Sequence, residues 1–394
     1  MLRRLPTFRL LTLIAAALVI LGGGAAIAMA ALGGSGPTPP AKPLDAAIHD
    51  ALTAPAVDGV TARITFTNHL IDQSSVGGTS PLLNGASGRL WASADGRFRL
   101  ELQSENGDAQ VTGDGNTVTI VDTTQNQAYK ITLPPDQGHA QPDTPPTLAR
   151  IDDTLKRLAA HVDISGARPS DVAGRAAYTV RVSPKHDGGL IGAGELAWDA
   201  ANGVPLRAAV YAAGNPQPVL ELRATDISFG KVADSDLSAP IPAGTKVTTM
   251  DLGGHDTGAA GQSSGGAPTN DPKSVASQLP FTLRAPDTLV GLPRKDVRVV
   301  DLGDKKGALL TYGAGLGGIA VLESQADPAG APPAGGGRQG DNALQLPKVS
   351  IDGTDGQELA TALGTIVRFS RGGVDYTVVG SVPPAAAEAA ARSL

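Results

Sequence analysis

The chain has 394 residues, with Lys+Arg 32 against Asp+Glu 38, a net charge of −6, 50 glycines, 30 prolines and no cysteine. The acidic balance offers no basic stripe for a nucleic acid, and the lack of cysteine excludes disulfides, thiolate metal sites, a cysteine nucleophile and a lipid-modified N-terminal cysteine. The length allows two or three domains.

Arg3, Arg4 and Arg9 precede an apolar run from Leu10 to Leu32, interrupted by Thr12 and the Gly22–Gly24 triplet. A bilayer core takes about 20 apolar residues, so the run can span one. The next basic residue is Lys42, which puts the N-terminus in the cytoplasm and the body outside, as a single-pass cell-membrane protein. Ala28-Met29-Ala30 offers a small-residue cleavage site. Cleavage would make residues 1–32 the signal peptide of a secreted protein. The length of the run favours an uncleaved anchor, and both readings export the body.

Residues 33–43 are a Gly/Pro-rich spacer. In Leu44–Ala54, Leu44, Ala47, Ile48, Ala51 and Leu52 fall at helical spacing, and Pro55 stops the helix. Strands are predicted at Val60–Ile71, Gly88–Ser93, Arg97–Gln103, Gln110–Thr112, Thr117–Asp122 and Ala128–Leu133. In the third, Phe98, Leu100 and Leu102 alternate with Arg97, Arg99, Glu101 and Gln103, and Asp95-Gly96 turns it back on its predecessor. A Pro-rich loop leads to the strongest helix pattern, Thr147–His161, with Leu148, Ile151, Leu155 and Leu158 in one stripe and Thr147 as N-cap.

Four consecutive strands follow, Ala173–Ser183, Leu190–Asp199, Val204–Ala212 and Pro218–Phe229, with Asn202-Gly203 as a hairpin turn. Residues 251–274 form a Gly/Ser-rich linker with little to bury. Residues 275–394 read as a smaller unit with strands at Phe281–Ala285, Asp296–Asp301, Gly307–Gly313, Ile319–Ser324, Thr361–Ser370 and Val374–Gly380. An Ala-rich helix, Pro383–Leu394, closes it.

Signals for chemistry fail on context. Gly261-Gln262-Ser263-Ser264-Gly265 spells G-x-S-x-G but lies in the linker, without the strand and helix that a nucleophile elbow needs. Gly313-Ala314-Gly315-Leu316-Gly317-Gly318 spells G-x-G-x-x-G, yet a strand pattern follows it instead of a helix whose N-terminus would face a pyrophosphate. A Gly-rich turn is expected there. The histidines at 49, 69, 139, 161, 186 and 255 have no metal-ligand spacing. Asp152-Asp153, Asp234/Asp236 and Asp352/Asp355 fall on a helix face or in turns, and none builds a calcium loop. No catalytic, cofactor or metal residue is assigned. The apolar faces of so many strands exceed what two short helices cover. Such a sheet closes on itself around a filled core, or leaves a hydrophobic cavity suited to an acyl chain.

The order helix, strands, helix, strands, ending in Tyr178-Thr179-Val180, Trp198-Asp199 and Gly203-Val204-Pro205-Leu206-Arg207, resembles the bacterial lipoprotein carrier superfamily. That group includes LolA-like and LolB-like carriers and RseB-like regulators, and the likeness is to its membrane-anchored actinobacterial form. It covers about Leu44 to Met250. It implies an α+β fold: a curved antiparallel half-barrel with helices on its concave side over residues 44–250. A smaller C-terminal β-rich α+β domain, similar to one in envelope and sporulation-associated regulators, would follow. It also implies a plug or lid role for Thr147–His161.

The function so implied is non-enzymatic: an extracytoplasmic binding protein that holds a lipid or lipidated protein in a hydrophobic concavity. The candidate lining is Phe66, Leu90, Phe98, Leu100, Leu102, Val118, Ile120, Leu155, Leu158, Val180 and Leu220. The alternative is an RseB-like envelope-stress sensor that binds an anti-sigma factor or other membrane protein.

Overall fold

The computed structural model describes residues 36–71, 81–105, 107–133, 146–185, 189–251, 269, 271–302, 305–326 and 346–394. The expected membrane anchor, His139, His186, His255 and the G-x-S-x-G stretch lie outside the described residues. The chain divides into two compact units. Among the described residues, the first runs to Asp251, except for Ile71 and residues 189–191, which group with the second.

In the first unit, α1 (Leu44–Thr53) leads to β1 (Gly59–Asn68) and a single helical turn, α2 (Pro81–Asn84). A meander follows: β2 (Ala86–Ser93), β3 (Phe98–Ser104), β4 (Gly107–Asp114), β5 (Thr117–Asp122) and β6 (Gln127–Thr132). After α3 (Leu148–Leu158) come β7 (Val162–Ile164), β8 (Arg168–Val172), β9 (Arg175–Pro184), β10 (Ile191–Asp199), β11 (Pro205–Ala212) and β12 (Pro218–Phe229). The turn α4 (Asp234–Leu237) and β13 (Lys246–Asp251) complete the unit.

The strands form one sheet in the order β13-β6-β5-β4-β3-β2-β1-β12-β11-β10-β9-β7, with β8 also on β9. This is a curved half-barrel, antiparallel except for its edge strand β13, with few helices. Its middle strand is β1, which joins the β2–β6 meander on one side to the β9–β12 meander on the other.

Local chemistry explains most boundaries. Thr147 accepts the Arg150 N–H and caps α3, as its sequence predicts. The helix stops at Leu158 rather than His161, because the Ala159 N–H closes the last turn on Leu155 O and the chain then bends into β7. Two features depart from expectation. β7 and β8 fill a stretch that shows no strand pattern, both pairing with β9. β13 runs parallel to β6, from Lys246 opposite Gln127 to Asp251 opposite Thr132.

The second unit opens with α5 (Pro272–Ala276), capped by the Asp271 carboxylate. Its strands are β14 (Thr288–Leu289), β15 (Leu292–Asp301), β16 (Lys306–Tyr312), β17 (Ile319–Gln325), β18 (Lys348–Ile351), β19 (Thr354–Thr361), β20 (Gly364–Arg371) and β21 (Val374–Gly380). They form a sheet ordered β14-β15-β16-β17-β21-β20-β19-β18. The helix α6 (Pro384–Arg392) buries Ala387, Ala390 and Ala391 in the same core as Val321, Val367, Phe369 and Val378.

The Gly313–Gly318 stretch is a turn, with a 3₁₀ segment at Gly315–Gly317 between β16 and β17. Phe281–Ala285 is not a strand. Phe281, Leu283 and Ala285 pack on the core, and the Arg284 N–H donates to the Glu323 carboxylate at 2.9 Å instead of to a neighbouring strand.

Candidate functional site: the apolar face of the half-barrel

Strand register brings most of the expected lining together. Ala62, Leu90, Leu100, Val111, Ile120 and Tyr129 form one continuous cross-strand row over β1 to β6. Beside it run Val60, Ala92, Phe98, Gly113, Val118 and Ile131. Leu102 lies opposite Gly88, Phe66 opposite Leu222, and Leu220 opposite Asn68. These positions share one face because side chains alternate with a period of two and paired residues point the same way.

Large and small residues interlock across that face. The ring of Phe98 lies over Gly113, where a Cβ would come within 2.1 Å of it. Phe66, Phe98, Leu102, Val118 and Leu220 are buried, and Leu90, Leu100 and Ile120 half-buried. Between β1, β2, β11 and β12 remains a crevice of about 30 Å³, lined by Ala62, Ile64, Leu90, Leu206, Leu222 and Ile227 among others. That is room for about one water molecule. Of the expected lining, Leu90 alone touches it.

Val180 belongs to a second cluster. It packs with Tyr178, Leu196 and Trp198 under Leu44, Ala47 and Ala51 of α1. Tyr178 and Trp198 tilt against each other at 6.2 Å, and the Tyr178 hydroxyl donates to Pro40 O at 2.7 Å. α3 packs against α1. Its Ile151 is buried and Leu155 half-buried, whereas Leu148 and Leu158 are 45% and 50% exposed.

The sequence motif that carries the family resemblance is architectural here. The Asp199 carboxylate is buried and accepts from Arg175 Nε at 2.7 Å and from the Ala201 N–H at 2.8 Å, which locks the β10–β11 turn. Gly203 has φ +71°, and a Cβ there would lie 2.5 Å from Ala51 O, so the turn and α1 meet only because the residue is glycine.

Arg207 centres a polar ladder on the opposite face of β12. It donates to Glu221 and Glu195, and to the Tyr211 hydroxyl at 2.8 Å. Arg181 lies 3.6 Å from Glu195 and over the Tyr211 ring. Burial pulls the Arg181 guanidinium down, with Glu195 opposing. Burial acts the same way on Arg207, but Glu221 and Glu195 outweigh it and raise that guanidinium. Alternation in sequence places these residues on the polar face; that their charges meet depends on register.

Among the described residues, no group of three or more His, Asp or Glu could hold a metal ion, and no helix is long and apolar enough to cross a membrane.

No family model matches the chain, and no curated protein matches it. Solved structures are similar at low identity. MucB in complex with MucA(peri) is 18% identical, with 89% of this chain and 95% of that chain covered and a TM-score of 0.36. The Pseudomonas aeruginosa MucA/MucB complex is 20% identical, with 88% and 94% covered and a TM-score of 0.39. An uncharacterized conserved protein from Thermus thermophilus is 13% identical, with 49% and 91% covered and a TM-score of 0.29.

Proposed function

We propose that this chain is a non-enzymatic extracytoplasmic binding protein, tethered by residues 1–32, that grips the exported segment of a membrane protein such as an anti-sigma factor. What supports a protein partner over a preformed lipid cavity is the small size of the crevice on the apolar face. A small-molecule pocket has a volume of about 300–1,000 Å³, and the crevice on this face has about 30 Å³. The sequence resemblance to RseB-like regulators fits the same reading, as does the lack of a cysteine to acylate.

Lipid carriage is the second reading, and one observation favours it. The one buried side chain of α3 is Ile151, so the helix could leave α1 at small cost and act as a lid. The candidate lining on this reading stays Phe66, Leu90, Phe98, Leu100, Leu102, Val118, Ile120, Leu155, Leu158, Val180 and Leu220.

Native mass spectrometry of the full chain taken from its membrane separates the two. The first reading expects a lipid-free mass and a stoichiometric complex with a single-span membrane protein. A retained acyl lipid without a protein partner would overturn it.

A further inference from the structure

We propose that α3 is an interfacial helix that lies on the surface of an anionic bilayer, so that the membrane itself covers the leucines the fold leaves open. The third of its supports, the tether, rests on the anchor reading of Leu10–Leu32.

Three observations carry it. The apolar stripe of α3 is longer than what covers it. Ile151 packs inward, while Leu148 and Leu158, at the two ends of the stripe, stay about half exposed. The rest of the helix is polar, which is the pattern of a helix that lies in the plane of an interface and does not span it. Asp152 and Thr154 border the stripe directly, and Arg150, Arg157 and Lys156 are exposed further round the helix, from where their long stems bring their charges back towards lipid phosphates while the leucines enter the acyl boundary. The acidic residues of the helix are Asp152, which pairs with Lys156, and Asp153.

The tether supplies the third observation. Pro40 is fixed by the Tyr178 hydroxyl, and Lys42 by Asp50 of α1. The chain from Leu32 to Pro40 reaches at most roughly 30 Å when fully extended. α3 packs on α1, the helix that this tether enters. A membrane anchor therefore holds α3 within a short distance of lipid, at a high effective concentration.

The test uses the full chain in vesicles of phosphatidylglycerol and phosphatidylethanolamine that carry brominated acyl chains. The protein has no cysteine, so Leu158→Cys and Asn116→Cys each accept a single fluorophore. Both positions are exposed, and Asn116 sits in the β4–β5 turn. The probe at 158 is expected to shift to the blue and to be quenched several-fold more than the probe at 116. Equal quenching at the two positions overturns the proposal and leaves the α3 leucines to a protein partner. Flotation after an alkaline wash reports on the anchor separately. A chain that washes off, yet whose 158 probe is quenched when vesicles are added, keeps the docking helix and loses the anchor.

Discussion

Arg207 joins two carboxylates that have little access to water. Glu195, Glu221 and Arg207 are all at most 15% exposed at their side chains. Arg207→Ala takes Arg207 from Glu221 and leaves Glu195 with only Arg181, 3.6 Å away, and breaking a buried pair in this way costs about 3–5 kcal/mol. Urea unfolding followed by tryptophan fluorescence checks it, because both tryptophans, Trp91 and Trp198, lie in the first unit. The variant midpoint should fall sharply.

In the second unit the telling residue is Glu323, which is fully buried. Burial pushes its carboxyl up to about 8, against the Arg284 backbone N–H and side-chain charge. Burial also pushes Tyr312 up to about 12. The unfolded Glu323 ionises near its ordinary value of 4.5, so between there and 8 the native state holds a proton that the unfolded state has lost. Stability of this unit therefore falls as pH rises through that window, by on the order of 3–5 kcal/mol. Glu323→Gln should flatten the profile, as read by thermal melts at pH 5 and pH 9. A variant that keeps the wild-type slope would assign the pH dependence elsewhere.

At the scale of elements, the β10–β11 hairpin shows what is legible in sequence and what is not. Asn202-Gly203 between alternating strands predicts the turn, and the turn is there. That α1 rests on it is not legible, because the contact from Gly203 to Ala51 spans the length of the unit. Gly203→Ala is expected to cost on the order of 1–3 kcal/mol from backbone strain and to loosen α1. Hydrogen exchange should show faster exchange in Ala47–Thr53 before any change in β5.

The candidate lining follows the same logic. Period two is enough to set Leu90, Leu100 and Ile120 on one face. Whether that face is hollow depends on which residue stands opposite which, and at one point the Phe98 ring fills the space over Gly113. Spacing along α3 groups Leu148 and Leu158 with Ile151, but their exposure depends on how much surface α1 offers them.

For the first unit as a whole, β1 is the organising strand. It is the first strand in the chain, yet it pairs with both the second and the twelfth. Ile64 is buried on its apolar face, beside Gly88 and Ala224. An unpaired carboxylate there has no charged partner and at most the single water that the adjoining crevice has room for. Ile64→Asp is expected to unfold both meanders together, with amides of Val118 and Leu196 losing protection at the same denaturant concentration. Loss confined to one side would make the meanders separate folding units. The closure of β1 on β12 is invisible to local pattern, as is the parallel addition of β13, since neither has a turn to announce it.

β13 has a consequence in time. The chain is made from its N-terminus, so β6 emerges long before the strand that covers its outer edge. Until Lys246–Asp251 arrives, the N–H and C=O groups of Gln127–Thr132 that point away from β5 have no strand to pair with, and are open to any extended chain nearby. The unit thus passes through a sticky stage in every molecule made, which ends only when its last strand is laid down. A chaperone that shields an open strand edge would be needed during that interval and not after it.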